Sequence, residues 1–263
     1  MQFKTDITQP QSILLNATHN TSNGHIDLPA KVKWVKANLG GSGFYRVQYP
    51  AEVWEELTKQ LLSDHTVLSP TDRSQILDDS FSLCRAGILD YSVPLGITEY
   101  LAKEESLIVW LTALSHIQSW VELLQDTQAR HSSNRWVVRV VEPVYARLGW
   151  KDTGDHVEKL LRQRVLHAAV SAGHKEAISA AKSTFHSLMT NGTHVPANMQ
   201  ELVYSVGIKT GGEAEWSWCY QQYKKTNIPS DRGQLIKALG DSKDIFMLQR
   251  CVLLCTIPCS YIS

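Results

Sequence analysis

Two periods of apolar spacing divide the chain. Up to residue 49 apolar and polar positions alternate. Val32 and Trp34 alternate with Lys31 and Lys33, and after the Gly-rich run 40–43 Tyr45, Val47 and Tyr49 alternate with Phe44, Arg46 and Gln48. A period of two is that of half-buried strands, so a pair of strands joined by a hairpin turn is expected here. Upstream, Phe3, Ile7, Ile13 and Leu14 stand among Thr, Gln and Asn before a polar stretch from Asn16 to Gly24, which predicts two further short strands and a loop. Four strands are too few for a complete sandwich. Residues 1–50 are therefore read as a partial β-sandwich.

From Pro50 the spacing becomes helical. Pro50 cannot donate to a ladder and suits a helix start, and Val53, Trp54, Leu57 and Leu61 then share one face. Ser69-Pro70 reads as a cap followed by Pro at the first helical position, Ile76, Leu77, Ser80, Phe81 and Cys84 form the next stripe, and Gly87 ends that helix. A helix over about 152–171 is expected to bury Val157, Leu160, Leu161, Val165, Ala168 and Ala169, with Lys159, Arg162 and Arg164 opposite; Ala177, Ile178, Ala181, Phe185 and Leu188 repeat the pattern. Gly149, Gly173, Gly192, Gly207 and Gly240 recur about one helix and a turn apart without an exact sequence repeat. The fold class expected is mainly α: the partial β-sandwich, then an irregular HEAT-like α-helical solenoid over 51–250 and a divergent tail over 251–263, with a single α-helical globule as the alternative.

Composition narrows the partners. The 263 residues carry 26 basic and 26 acidic side chains, which gives no concentrated positive charge for nucleic acid. No uninterrupted apolar run approaches the roughly 20 residues of a membrane span, and MQFKTDITQPQ has no signal-peptide character, so a cytoplasmic chain or a targeting segment elsewhere is expected. Three N-glycosylation sequons, at Asn16, Asn20 and Asn191, are what an extracytoplasmic chain would carry, and such tripeptides also arise by chance.

Sites of chemistry are sparse. A zinc hydrolase of the H-E-x-x-H type needs two His one turn apart with Glu between, and none of the ten His is so placed; His156-Val157-Glu158 reads as a polar edge of its helix. Cys251, Cys255 and Cys259 share a helical spacing that Pro258 interrupts, and read as buried thiols or a tail. The 40–43 run precedes a strand and not a helix, so it is no phosphate cradle, and no G-x-S-x-G elbow occurs. The adjacent carboxylates Glu55-Glu56, Asp78-Asp79 and Glu104-Glu105 diverge on a helix and read as solvated faces or caps. No catalytic, cofactor or metal residue is assigned. Trp54, Trp110, Trp120, Trp136 and Trp150 are expected in the core or between helices, whereas Trp216 and Trp218, set among Glu and Ser, are the candidates for exposed, ligand-facing aromatics.

The stretch KWVKANLGGSGFYRVQY resembles the W-x-K-x-N…G-F-Y-R-V-x-Y segment of the M1 family of zinc aminopeptidases, where it lies in the small β-sandwich before a helical C-terminal domain. Asp72-Arg73, Ile76 to Phe81, Arg85-Ala86-Gly87, Leu89-Asp90-Tyr91, Tyr100-Leu101, Leu148-Gly149-Trp150 and Gly154 to Val157 with Leu160-Leu161-Arg162 continue the likeness in order, nearest to the glutamyl aminopeptidase branch. The likeness runs from about Ile26 to about Gln249. The family's G-x-M-E-N and H-E-x-x-H motifs have no counterpart, so no zinc ligand is carried over; zinc belongs to the parent family and this chain is expected to be inactive alone.

The resemblance implies a helical bowl that covers the active-site cleft of a peptide-trimming enzyme, on the extracellular or luminal side if its parent is targeted there. Peptides through the parent, a homodimer or a full-length aminopeptidase are the partners implied. The end, CVLLCTIPCSYIS, resembles what a frameshift, intron read-through or alternative splice would leave, and an incomplete solenoid is expected to expose an apolar end. The alternative is a stand-alone helical binding module, or a dominant-negative partner of a full-length enzyme.

Overall fold

The computed structural model describes residues 2–5, 11–12 and 32–256. Antiparallel strands β1 (Gln2–Thr5), β2 (Gln11–Ser12) and β3 (Val35–Ala37) form a small sheet in the order β2-β1-β3, with Phe3 opposite both Gln11 and Ala37. Eleven helices follow among the described residues: α1 (Ala51–Asp64), α2 (Pro70–Arg85), α3 (Ser92–Ile97), α4 (Leu107–Leu124), α5 (Arg130–Leu148), α6 (His156–Ser171), α7 (Lys175–Asn191), α8 (Ala197–Thr210), α9 (Glu213–Lys225), α10 (Pro229–Leu239) and α11 (Ile245–Thr256). The fold is mainly α. The chain forms two compact units, Met1–Val144 and Tyr145–Ser263.

The hairpin expected around the Gly-rich run does not form. Asn38 takes a left-handed conformation with φ 54°, Gly40 and Gly41 follow at 62° and 67°, and the chain leaves the sheet through a 3₁₀ turn at Leu39–Gly41. Residues 44–49 are not a strand. Val47 N–H donates to Asp79 Oδ2 at 3.2 Å, and the Tyr49 hydroxyl accepts from Ala37 N–H at 3.0 Å. Side chains thus take the place of a ladder, and an extended segment lying on a helix shows the same alternation as a strand.

In the first unit α2 is the hub, packing against α3, α4 and the Leu39–Gly41 turn. Its ends follow the expected chemistry: Ser69 Oγ accepts from Asp72 N–H, Pro70 occupies the first turn, and Gly87 at φ 73° closes the helix with Gly87 N–H to Cys84 O and Ile88 N–H to Leu83 O. Beside the apolar stripe it buries Asp72, Arg73 and Asp79. Arg73 forms a bidentate pair with Glu104, Nε to Oε2 at 2.7 Å and Nη2 to Oε1 at 2.9 Å, and Arg73 Nη1 donates to Leu68 O at 2.6 Å. Glu104 is fully buried and also accepts from the backbone N–H of Glu105 and Ser106 at the entrance of α4. It caps, as its position suggested, but it is not solvated. Burial alone would raise its pKa; the Arg73 hydrogen bonds and the backbone donors outweigh that and lower it.

Helix α4 spans 18 residues at mean hydropathy 1.3, long and apolar enough to cross a membrane by composition. Its Val109, Trp110, Ala113 and Ile117 are buried where it packs on α2, whereas Ile108, Leu111 and Leu123 are exposed.

In the second unit α8 touches α6, α7, α9 and α10, so α6, α8 and α10 form a row with α7 and α9 beside it. Contact between every second helix is the pattern of a helical stack. The buried stripe of α6 is Leu161, Val165, Leu166 and Ala169, whereas Val157 is exposed. Arg162, expected on the solvent side, is 1% exposed. Its guanidinium donates to Leu148 O at 3.1 Å, Thr153 O at 2.7 Å and Glu158 Oε1 at 3.0 Å, holding the 148–155 loop against α6.

The buried ion pair gives a direct test. Glu104→Gln leaves the Arg73 charge without its match, which is expected to cost about 3–5 kcal/mol and lower the midpoint of thermal unfolding by roughly 10 °C. Arg73→Met with Glu104→Leu is expected to recover most of that loss. Equal losses in the single and double variants would show that the pair is not the source.

Candidate functional site

The first unit holds a polar cluster built on α2. Lys36 has the parity of Trp34 in the alternating segment, and both point inward at 1% and 2% exposure. Its ammonium donates to Ala37 O at 2.5 Å and Gln75 Oε1 at 2.7 Å and lies 3.8 Å from Asp72 Oδ1. Burial pulls its pKa down to about 8 against the pull of Asp72 and Asp79. Asp72 Oδ1 also accepts from Gly40 N–H at 2.8 Å. Arg46 reaches Asp78 Oδ2 at 2.6 Å and Asp79 Oδ1 at 3.3 Å, and His116 Nε2 meets Asp78 Oδ1 at 2.8 Å while its ring stacks on Phe81. The His116 hydrogen bond, chiefly, lowers the Asp78 pKa, whereas burial raises that of Asp79. An open cavity of about 430 Å³ lies over this cluster, lined by Tyr45, Arg46, Gln75 and Asp78 among others, with Phe44 wholly exposed at its edge. The groups are anchored to one another, so the cluster holds the 38–49 segment in place and offers no free nucleophile or base.

The second unit holds a cavity of about 530 Å³ framed by α7, α8, α9 and α10, with Trp218 and Tyr204 in its wall. A methyl at Gly207 would overlap the Phe185 ring, so the glycine lets Phe185 lie against α8. Phe185 then meets Trp218 edge to face at 5.6 Å between centroids and fixes its plane.

Trp218 is half-buried and lines the cavity. Trp216 does not. It is 1% exposed, donates from Nε1 to Leu239 O at 3.2 Å and carries the Arg250 guanidinium over its ring. Two residues apart on a helix, the pair point about 200° from each other, so both cannot face solvent. Trp54 and Trp110 are buried, and Trp120 and Trp136 meet edge to face. Asn191 is exposed at the end of α7. Asn16 and Asn20 lie outside the described residues, as does Cys259. Cys251 is buried in α11, where Cys255 also lies. Zinc finds no donor set here: among the described residues no three His, Cys, Asp or Glu side chains converge.

The sequence profile of the ERAP1-like C-terminal domain matches residues 34–257. The chain belongs to the ERAP1-like C-terminal domain family. It is 33% identical to the rat glutamyl aminopeptidase over 95% of its own length and 29% of that protein's, and 32% identical to the human glutamyl aminopeptidase over 92% and 25%. The human endoplasmic reticulum aminopeptidase 2 is 31% identical over 83% of this chain and 23% of its own length. This ERAP1-like chain therefore spans less than a third of the length of these relatives, all of them aminopeptidases by name.

The polar cluster of this ERAP1-like domain escaped the sequence reading, which took Asp78-Asp79 for a solvated face or a cap. Two signals pointed to it: Lys36 has the parity of Trp34, and Asp72 and Asp79 stand seven residues apart on the inward face of α2. The cluster predicts a pH dependence. Below pH 8 the folded and unfolded chains both hold the Lys36 proton and the fold bears its desolvation. Between about 8 and 10.5 the folded chain releases it first, so stability rises by up to about 3 kcal/mol. Urea unfolding at pH 7.5 and 9.5 is expected to show part of this gain in the parent chain and none in Lys36→Met. The same gain in both would contradict it.

Proposed function

We propose that the chain is the non-catalytic C-terminal portion of an M1 zinc aminopeptidase, an enzyme that removes N-terminal residues from peptides, and that its helices cover the active-site cleft of that enzyme. The observation that carries the reading is the match of a C-terminal domain profile to residues 34–257 in a sequence without an H-E-x-x-H motif. The polar cluster supports it: its carboxylates and cations are spent on backbone and on one another, which suits a scaffold better than a catalyst. In this reading the domains are a sandwich remnant over 1–50, the helical domain over 51–250 and a tail. The zinc belongs to the catalytic part of the parent enzyme, and the exposed Asn191 sequon, with a relative named for the endoplasmic reticulum, supports a luminal or extracellular setting.

One observation favours a partner-binding reading beside it. Phe44 is wholly exposed and Tyr45 is 44% exposed on a segment that Asn38, Asp72 and Asp79 hold rigidly. A fixed apolar prominence suits docking to a protein surface, with the catalytic portion of a full-length aminopeptidase as its partner.

The purified chain incubated with aminoacyl-naphthylamides and added zinc is expected to release no amine above buffer. Chelator-sensitive release would overturn the non-catalytic assignment. Phe44→Ala is expected to weaken co-purification with a full-length aminopeptidase at least tenfold without changing the unfolding midpoint, and unchanged co-purification would remove the docking role of this segment.

A further inference from the structure

The cavity beside Trp218 opens at the Asn191 sequon, and that adjacency suggests what fills it. Gly192, the middle residue of Asn191-Gly192-Thr193, lines the cavity, as does Leu188, three residues before Asn191 and therefore beside it on the same helical face. Gly192 closes α7 in the left-handed conformation, φ 65°, with its N–H on Leu188 O, so Asn191 ends the helix at the cavity rim. All three sequon residues are exposed.

The walls have the mixed chemistry that a sugar ring requires. Trp218, held edge-on by Phe185, and Tyr204 offer aromatic faces to the C–H side of a pyranose, while Gln222, Lys225 and Asp231 offer donors and acceptors to its hydroxyl and acetamido groups. At about 530 Å³ the cavity lies within the range of about 300–1,000 Å³ usual for small-molecule sites. A free ligand would have to be drawn from solution, whereas a group attached at the rim is present at high effective concentration and sacrifices little further freedom on docking.

We propose that Asn191 carries an N-linked glycan whose first N-acetylglucosamine docks in this cavity against Trp218. The attachment needs a diphosphate-lipid-linked oligosaccharide and its transferase. The Asn191 amide nitrogen bonds to C1 of the first sugar, the C1–O bond to the diphosphate breaks with its electron pair leaving on the diphosphate, and the amide proton passes to a base of the transferase. The docked ring covers the apolar wall of Leu188, Met189 and Leu235 and ties the end of α7 to α9 and α10. This inference rests on the luminal or extracellular setting proposed above, and its readout is independent of aminopeptidase activity.

The test uses the full chain, secreted from cells that add uniform high-mannose glycans, with Asn16→Gln and Asn20→Gln so that one sequon remains. Peptide mass is expected to show Asn191 modified. Peptide:N-glycosidase is expected to release the glycan from the native parent at least tenfold more slowly than from the Trp218→Ala chain, and equally fast from both after denaturation. Gln222→Ala, a change at the cavity wall, provides the comparison should Trp218→Ala not fold, and is expected to speed native release several-fold. Secreted protein without a glycan on Asn191 overturns the attachment; a modified Asn191 released at equal native rates in the folded variants overturns the docking.

Discussion

Helix α2 buries three charges, and each must find a match. A buried carboxylate or guanidinium without one costs several kcal/mol, more than most single contacts contribute. Asp72, Arg73 and Asp79 draw their partners from outside the helix: Lys36 and Gly40 before it in sequence, Val47 and Arg46 from the extended segment, Glu104 from the entrance of α4. The positions of the sheet exit, of the 38–49 segment and of α4 therefore follow from the satisfaction of one helix. Apolar burial supplies most of the driving force, through Ile76, Leu77 and Phe81 of α2 and Trp110 of α4, but it is non-directional. The ion pairs and backbone acceptors decide which register of those apolar surfaces is formed.

The second unit reaches definition by other means. Arg162 turns inward to three acceptors, two of them carbonyls of the 148–155 loop, and so does from within α6 what Glu104 does from beyond α2. His174 serves two helices at once: its N–H bonds Ala169 O at the end of α6, and its Nδ1 accepts from Ala177 N–H at the start of α7. Gly207 works by what it lacks, letting Phe185 approach α8 and set Trp218.

Much of this was legible in the sequence. The helical spacing, the Ser69-Pro70 start, the Gly87 stop and the family likeness of the GFYRV stretch led to a mainly α chain of the right family. Three readings failed for one reason: periodicity reports which face is covered and not what covers it. Residues 44–49 alternate because they lie on α2, not because they pair; Arg162 is inside because loop carbonyls are there to receive it; Trp216 is inside because Leu239 O awaits its N–H. Each depends on a partner far along the chain, which no local pattern contains. The cavity at Trp218 was half visible for the same reason, since its aromatic was seen and its walls, from four helices, were not.

The carboxylates of α2 hold the segment before α1, and the amides of Gly40 and Val47 report on that hold most directly. Neither N–H enters a backbone ladder; each donates to a carboxylate of α2. Amide hydrogen exchange followed by NMR is predicted to show both protected to the same degree as the core amides of α2, and both losing protection selectively when Asp72 and Asp79 are replaced in turn by Asn. Exchange at Gly40 and Val47 as fast as in an unstructured chain, with α2 itself protected, would show that the carboxylates do not hold the segment.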